Sequence, residues 1–204
     1  MERLTFATGS YGANCSILWS GGEAWIVDPG AEGERIEEAL AARALKPAAI
    51  LLTHGHFDHI GAIPFLQKAH PGLAVCVHRG DLAMFGHPFN SNPPDYPPTG
   101  KPSDVFAFGE GAEEKLCGGI EVLETPGHSP GSVCFLLRGE KTVLTGDTLF
   151  AGSAGRTDLP GGSMTQLMRS LDILRALPDG TVAVPGHGAE TTIGKEKQYN
   201  PFLT

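Results

Sequence analysis

Thr53-His54-Gly55-His56-Phe57-Asp58-His59 puts three histidines and an aspartate within six consecutive positions. The segment follows Ala48–Thr53, an apolar run of the kind expected of a strand buried on both faces. A strand end delivers side chains to one rim of a sheet, a usual place for a site in layered α/β proteins. His54 and His56 are two apart, so in extended backbone they point the same way. Gly55 lets the chain bend so that both imidazoles reach one ion. Asp58 and His59 stand one bend further on, at the start of a helix, placed to serve a second ion. A solvated histidine loop explains the segment poorly. Clustered imidazoles repel once protonated and add nothing to packing, whereas a cation offsets the carboxylate charge and the desolvation of the cluster.

Three more positions share this arrangement. Thr125-Pro126-Gly127-His128-Ser129-Pro130-Gly131 and Val184-Pro185-Gly186-His187-Gly188 each place a histidine in a Gly/Pro turn after an apolar run. Thr145-Gly146-Asp147-Thr148 places a carboxylate in the same way. Singly, each reads equally well as a surface turn. Together they are four strand ends carrying metal-ligand residue types, and strand ends at one rim can converge.

Outward from these segments, the pattern alternates strands and helices. Arg3–Thr8, Ala13–Trp19 and Glu23–Asp28 read as strands separated by glycine-rich turns. A helix is expected over Glu32–Leu45, with Ile36, Leu40 and Ala44 on one stripe and Pro47 ending it. A second is expected from His59 to Ala69, then a strand at Leu73–His78 and a short helical piece near Asp81–Phe85. Gly86–Ser103 holds Pro88, Pro93, Pro94, Pro97, Pro98 and Pro102, a density no helix or central strand tolerates. It reads as a cover anchored by Phe85, Phe89 and Tyr96. Strands resume at Lys115–Cys117, Ile120–Thr125, Ser132–Leu137 and Lys141–Thr145. Ser163 and Gln166 form a capping box for a helix whose stripe of Met164, Leu167, Met168, Leu171 and Leu174 reads as core. Thr181–Val184 and Thr191–Gln198 read as a last strand and helix. Two packed sheets with helices outside accommodate this order.

The chain has 204 residues, 41% of them hydrophobic and 19% charged, enough for one domain with its own core. Its 28 Gly and 16 Pro suit a loop-rich α/β or α+β protein. A net charge of −8 argues against nucleic-acid or anionic-membrane partners. No apolar stretch reaches the roughly 20 residues of a membrane span, and Met1-Glu2-Arg3 opens no signal pattern, so a cytoplasmic location is expected. Cys15, Cys76, Cys117 and Cys134 are scattered without a Cys-x-x-Cys pair and read as buried thiols. His70, His78 and His87 read as ordinary polar residues.

The motifs, in this order, resemble those of the metallo-β-lactamase superfamily. The likeness includes Asp28-Pro29-Gly30 and Gly146-Asp147-Thr148-Leu149-Phe150, so residues 1–204 are read as a single domain. Gly155-Arg156-Thr157-Asp158 and the stretch Gly194–Leu203 resemble the glyoxalase II-like (hydroxyacylglutathione hydrolase-type) thioesterases. The resemblance implies a four-layer αββα sandwich of the α/β (α+β) class, with two divalent metals at the sheet edge. It implies that His54, His56 and His128 bind one metal and that Asp58, His59 and His187 bind the second. Asp147 would bridge both, and Asp58 would also orient an attacking hydroxide. Zinc is the first choice of metal; with no thiolate ligand, iron and manganese remain alternatives. The Asp28 carboxylate and the backbone donors of Thr53 and Ser129 are expected to support the ligands.

The implied activity is hydrolysis of a small-molecule thioester such as an S-acylglutathione, by a metal-bound hydroxide attacking the carbonyl. Monomer or small homo-oligomer are both compatible with it. Arg156 would pair with a substrate carboxylate, or with Asp158, which stands where the family has a tyrosine. Ala189 replaces an expected aromatic, and the family's C-terminal helical domain is expected to be absent. Persulfide dioxygenases resemble the chain too, and would use one iron on His54, His128 and Asp147 to oxidise glutathione persulfide. A nuclease of the same superfamily fits the acidic charge poorly.

Overall fold

A computed structural model of the chain describes residues 1–90, 96, 99–109, 115, 116 and 118–204. They form two compact units, Met1–Cys117 and Gly118–Thr204.

The first unit is built on a six-stranded sheet. Its strands are β1 (Glu2–Thr8), β2 (Ala13–Ser20), β3 (Glu23–Val27), β4 (Lys46–Leu51), β5 (Ala74–His78) and β6 (Val105–Phe108), ordered β1-β2-β3-β4-β5-β6. β1, β2 and β3 pair antiparallel through short turns, and β3 to β6 run parallel. Parallel neighbours need crossovers. α1 (Gly33–Ala41) provides the one between β3 and β4; α2 (Phe57–Ile60) and α3 (Ile63–Ala69) lie on the one between β4 and β5. Ile17, Ile26, Ile50 and Val75 pack with Ile36 and Leu40 of α1, Ile60 of α2, and Ile63 and Leu66 of α3. Each such side chain contributes about 1.5–3 kcal/mol when fully buried. Leu18, Leu51 and Cys76 are buried as well, so the central strands are apolar on both faces.

The second unit has a five-stranded sheet of β7 (Ile120–Glu124), β8 (Val133–Leu137), β9 (Thr142–Gly146), β12 (Val182–Pro185) and β13 (Thr191–Thr192), ordered β13-β12-β9-β8-β7. A small hairpin of β10 (Leu149–Phe150) and β11 (Ser153–Ala154) follows β9. β9 and β12 are parallel, and α4 (Met164–Arg175) crosses between them, while α5 (Ile193–Tyr199) follows β13. Leu136 and Val143 of the sheet pack with Leu167, Leu171 and Leu174 of α4 and with Ile193 and Leu203. The C-terminal segment pins the hairpin. Buried Glu196 accepts from the Gly152 N–H at 2.7 Å and from Asn200, and Asn200 Nδ2 donates to the Phe150 and Ser153 carbonyls.

Several expectations need correcting. The helix expected over Glu32–Leu45 stops at Ala41. Ala44 turns left-handed at φ 51° and is exposed rather than on the stripe. The Leu45 N–H returns to the Leu40 carbonyl at 3.0 Å, a Schellman-type ending. The helix expected over His59–Ala69 is two, because the Ala62 N–H leaves the helical ladder for the Pro29 carbonyl at 2.9 Å. Ser163 caps α4 as expected by accepting from the Gln166 N–H, but Met164 and Met168 are 47% and 40% exposed, outside the core. β6 was not anticipated, and Lys115 and Leu116 are not strand.

Of the proline-rich stretch, Pro93, Pro94, Pro97 and Pro98 lie outside the described residues, as do Cys117 and the side chain of Phe89. Phe85 and Tyr96 are buried anchors. Cys15, Cys76 and Cys134 are buried thiols; burial, and then the Asp28 charge, push the Cys15 thiol well up. Among the described residues no helix is long and apolar enough to cross a membrane.

Candidate metal centre

Each candidate ligand segment follows a strand of its own unit. In the first unit, His54 and His56 come after β4, and Asp58 and His59 lie in α2. The His54 and His56 rings meet edge-on at 4.8 Å between centroids, and the His54 and His59 rings lie 4.2 Å apart. All four side chains are buried, His59 completely.

The hydrogen bonds assign which ring nitrogen carries the proton. The Thr53 hydroxyl donates to Oδ2 of Asp28 at 2.6 Å, and the Thr53 N–H donates to Oδ1 at 2.8 Å. The Thr53 oxygen therefore accepts from Nδ1 of His54, 3.0 Å away. Asp28 Oδ2 also accepts from Nδ1 of His59 at 3.0 Å. Both neutral rings then carry hydrogen on Nδ1 and present a lone pair at Nε2. For His59 that lone pair faces Oδ2 of Asp58 at 3.9 Å. Oxygen and nitrogen of Asp28, His54 and His59 gather within 4.8 Å, but Asp28 is occupied as acceptor for Thr53 and His59, the part of an orienting residue.

The second unit repeats the pattern. His128 follows β7, Asp147 follows β9 and His187 follows β12. Nδ1 of His128 donates to the Arg156 carbonyl at 2.8 Å, so its Nε2 also presents a lone pair. That atom lies 3.6 Å from Oδ2 of Asp147, and Nε2 of His187 lies 3.7 Å from the same oxygen.

These spacings are too long for hydrogen bonds. Donors bound roughly 2.1 Å from one tetrahedral ion sit about 3.4 Å apart. Imidazole nitrogens set against carboxylate oxygens at 3.6–3.9 Å have the spacing of donors that share a cation. The donor set in each unit fits a divalent metal.

The other expected positions have local roles. The Ser129 N–H donates to Oγ of Ser132. Arg156 grips Asp158 through two 2.7 Å hydrogen bonds, with both side chains more than half exposed. The Arg156 guanidinium holds the Asp158 carboxyl down to about 2. Nε2 of His70 lies 2.8 Å from Oε1 of Glu37, the His78 ring accepts from the Gly80 N–H, and His87 is exposed. Two supports were missed in the sequence, the Thr53 hydroxyl and the Arg156 carbonyl. A hydroxyl beside a histidine ligand is a usable signal for the first, and a backbone carbonyl leaves none for the second. Gly55 has no left-handed φ, so its backbone conformation does not itself demand glycine. A Cβ there would come to 3.3 Å of Asp81 and Met84, a tight approach that a side chain could make only by displacing them slightly.

Comparison with known proteins agrees with this arrangement. A family model described as the metallo-beta-lactamase superfamily matches residues 8–187. The chain is 39% identical to the hydroxyacylglutathione hydrolase GloC of Haemophilus influenzae, over 93% of this chain and 92% of that protein. The crystal structure of the BLEG-1 B3 metallo-beta-lactamase is similar with a TM-score of 0.86 and 36% identity, over 100% of both chains. TTHA1623 in a di-iron-bound form is similar with a TM-score of 0.82 and 37% identity, over 98% of this chain and 100% of that one.

Proposed function

Because the chain belongs to the metallo-beta-lactamase superfamily and carries its α+β fold of two mixed sheets, we propose that it is a metal-dependent hydrolase of thioesters. In this reading His54, His56 and His128 hold one divalent metal, Asp58, His59 and His187 hold a second, and Asp147 serves both. The observation that carries the reading is the set of Nε2 atoms facing carboxylate oxygens at 3.6–3.9 Å in each unit. The likeness to GloC supports an S-acylglutathione as the substrate class. Zinc stays the first choice by ligand type, and the di-iron form of TTHA1623 keeps iron beside it.

Bound metals would supply Lewis acidity toward a carbonyl and a water ionised near neutral pH. The chain's own groups do the rest. Asp28, directly and through Thr53, keeps the His59 and His54 lone pairs aimed outward, and the Arg156 carbonyl does the same for His128. Asp58 orients the attacking water by accepting its hydrogen bond. Arg156 pairs with a carboxylate of the substrate, in exchange for Asp158. A thiolate leaves readily at neutral pH, so no protein acid is required to protonate it.

Metal analysis of the purified protein, paired with an anaerobic substrate panel, tests this. The panel contains lactoylglutathione, neutral thioesters and a β-lactam. Two equivalents of metal and oxygen-independent thioester cleavage are expected. One iron with oxygen uptake on glutathione persulfide would replace the proposal by a persulfide dioxygenase, and cleavage of the β-lactam alone would also overturn it.

A further inference from the structure

The peptide units between His54 and Phe57 are held by two side chains that belong to neither ligand set. The Gly55 N–H donates to Oδ2 of Asp81 at 2.9 Å. The Gly55 carbonyl accepts from Nδ2 of Asn90 at 2.8 Å. Oδ1 of Asn90 accepts from the Phe57 N–H at 2.9 Å, and Nδ2 also donates to the Met84 carbonyl at 3.1 Å. Asp81 is fully buried and Asn90 is 8% exposed. Asp81 lies in the 3-10 turn Arg79–Met84 that follows β5, and Asn90 in the turn Pro88–Asn90.

These bonds act on particular torsions. The Gly55 N–H lies in the peptide plane that follows His54, so Asp81 fixes the direction in which the chain leaves that residue. The Gly55 carbonyl and the Phe57 N–H lie in the two planes flanking His56, so Asn90 brackets that residue on both sides. A peptide plane is rigid, which leaves φ and ψ as the soft coordinates at each histidine. A Cβ at Gly55 would meet Asp81 and Met84 at 3.3 Å, which shows how closely this backbone lies against the turn that holds it. Buried backbone groups need partners, and here partners from two separate turns tie the ligand segment to the chain that follows β5.

We propose that Asp81 and Asn90 are positioning residues that set the approach of His54 and His56 to a metal. The inference rests on the metal reading of the site given above.

The test uses the full chain stripped of metal, with zinc titrated against a chromophoric chelator and melting of the metal-free protein followed in parallel. Asp81→Ala and Asn90→Ala are expected to raise the zinc Kd about 10–100-fold. Asp81→Asn retains an acceptor for the Gly55 N–H and should bind close to wild type. Asn90→Asp retains the acceptor for Phe57 but loses both donors, so it should weaken binding with Asn90→Ala. These two near-isosteric variants decide the matter if an alanine variant fails to fold. Leu40→Ala truncates the core of the same unit; it should lower the melting temperature and leave the Kd unmoved. Wild-type affinity in both Asn90 variants and in Asp81→Ala would overturn the inference, as would an equal loss in Leu40→Ala. No zinc uptake by the wild-type chain would instead overturn the metal reading on which it rests.

Discussion

Oδ2 of Asp28 accepts from Nδ1 of His59 at 3.0 Å, and both side chains are almost wholly buried. The same oxygen accepts the Thr53 hydroxyl that in turn faces His54. One carboxylate therefore sets the tautomer of two rings. Asp28 also adopts a left-handed φ of 50°, which aspartate and asparagine tolerate better than most residues. Asp28→Asn keeps that backbone tolerance and removes one acceptor oxygen. Three donors then compete for one oxygen, and an amide N–H can face His59. Metal affinity is expected to fall about 10–100-fold with little change in circular dichroism, measured by chelator competition. Wild-type affinity would deny Asp28 its orienting role.

His56→Ala and Asp147→Ala remove one proposed ligand from each unit. Both should lose metal and activity while keeping the fold, since the apolar contacts of each unit lie in its own core. With metal chemistry worth several kcal/mol, turnover should drop roughly a thousandfold. Metal content per chain and circular dichroism, read on the same samples, check this. Wild-type turnover in a metal-free variant would remove the mechanism.

The strands that carry the ligands were legible because each is a short apolar run cut off by Gly, Pro or a titratable residue. The breaks inside the expected helices were not. Pro64 at the first turn of α3 is compatible with a helix start, yet what stops α2 is a bond from Ala62 to Pro29, a partner far back in the chain. β6 escaped notice because Val105–Phe108 is only four residues long and follows the proline-dense stretch. Met164 and Met168 fit the helical stripe by spacing, but the buried strip on α4 is narrower than the apolar one. The ligands themselves stood in plain view, while Asp81 and Asn90 sit 26 and 35 positions from the Gly55 they hold. No local pattern announces a contact of that separation.

The Arg156–Asp158 pair offers a pH test. Hydrogen bonding by the guanidinium holds the Asp158 carboxyl down to about 2. A carboxyl depressed in the folded state is paired above its ordinary value and releases its partner only as pH falls through the lowered one. The Asp158 carboxyl carbon, followed by NMR, should titrate near 2. In Arg156→Ala it should return to about 3.9. Both side chains are exposed, so global stability should barely change across that range.

The same pair bears on substrate choice. If Arg156 swings from Asp158 to a substrate carboxylate, Arg156→Ala should raise KM for carboxylate-bearing thioesters and spare neutral ones. The guanidinium is exposed, so solvent screens the pair and the KM change should be on the order of a few-fold. Asp158→Ala releases the guanidinium and should lower the same KM. Equal effects on charged and neutral thioesters would leave Arg156 as a loop fastener, which its own carbonyl already is for His128.

Gly155 sits against the backbone of the proposed bridging ligand. A Cβ at this position would lie 1.8 Å from the Asp147 carbonyl oxygen and 3.3 Å from Cβ of His128. The obstacle is backbone, so no side-chain rotation relieves it. Gly155→Ala must push the Arg156 segment off the Asp147 turn. That movement takes the Arg156 carbonyl away from Nδ1 of His128 and lengthens the 3.6 Å approach of His128 to Asp147. A destabilisation of about 1–3 kcal/mol is expected from the overpacking, together with lost metal affinity. By contrast, Ser153→Ala, an exposed change on β11, should leave both unchanged. Chemical denaturation and zinc titration of the two variants separate the outcomes. If Gly155→Ala lowers stability but binds zinc like the wild type, the Arg156 carbonyl does not govern the His128 ring.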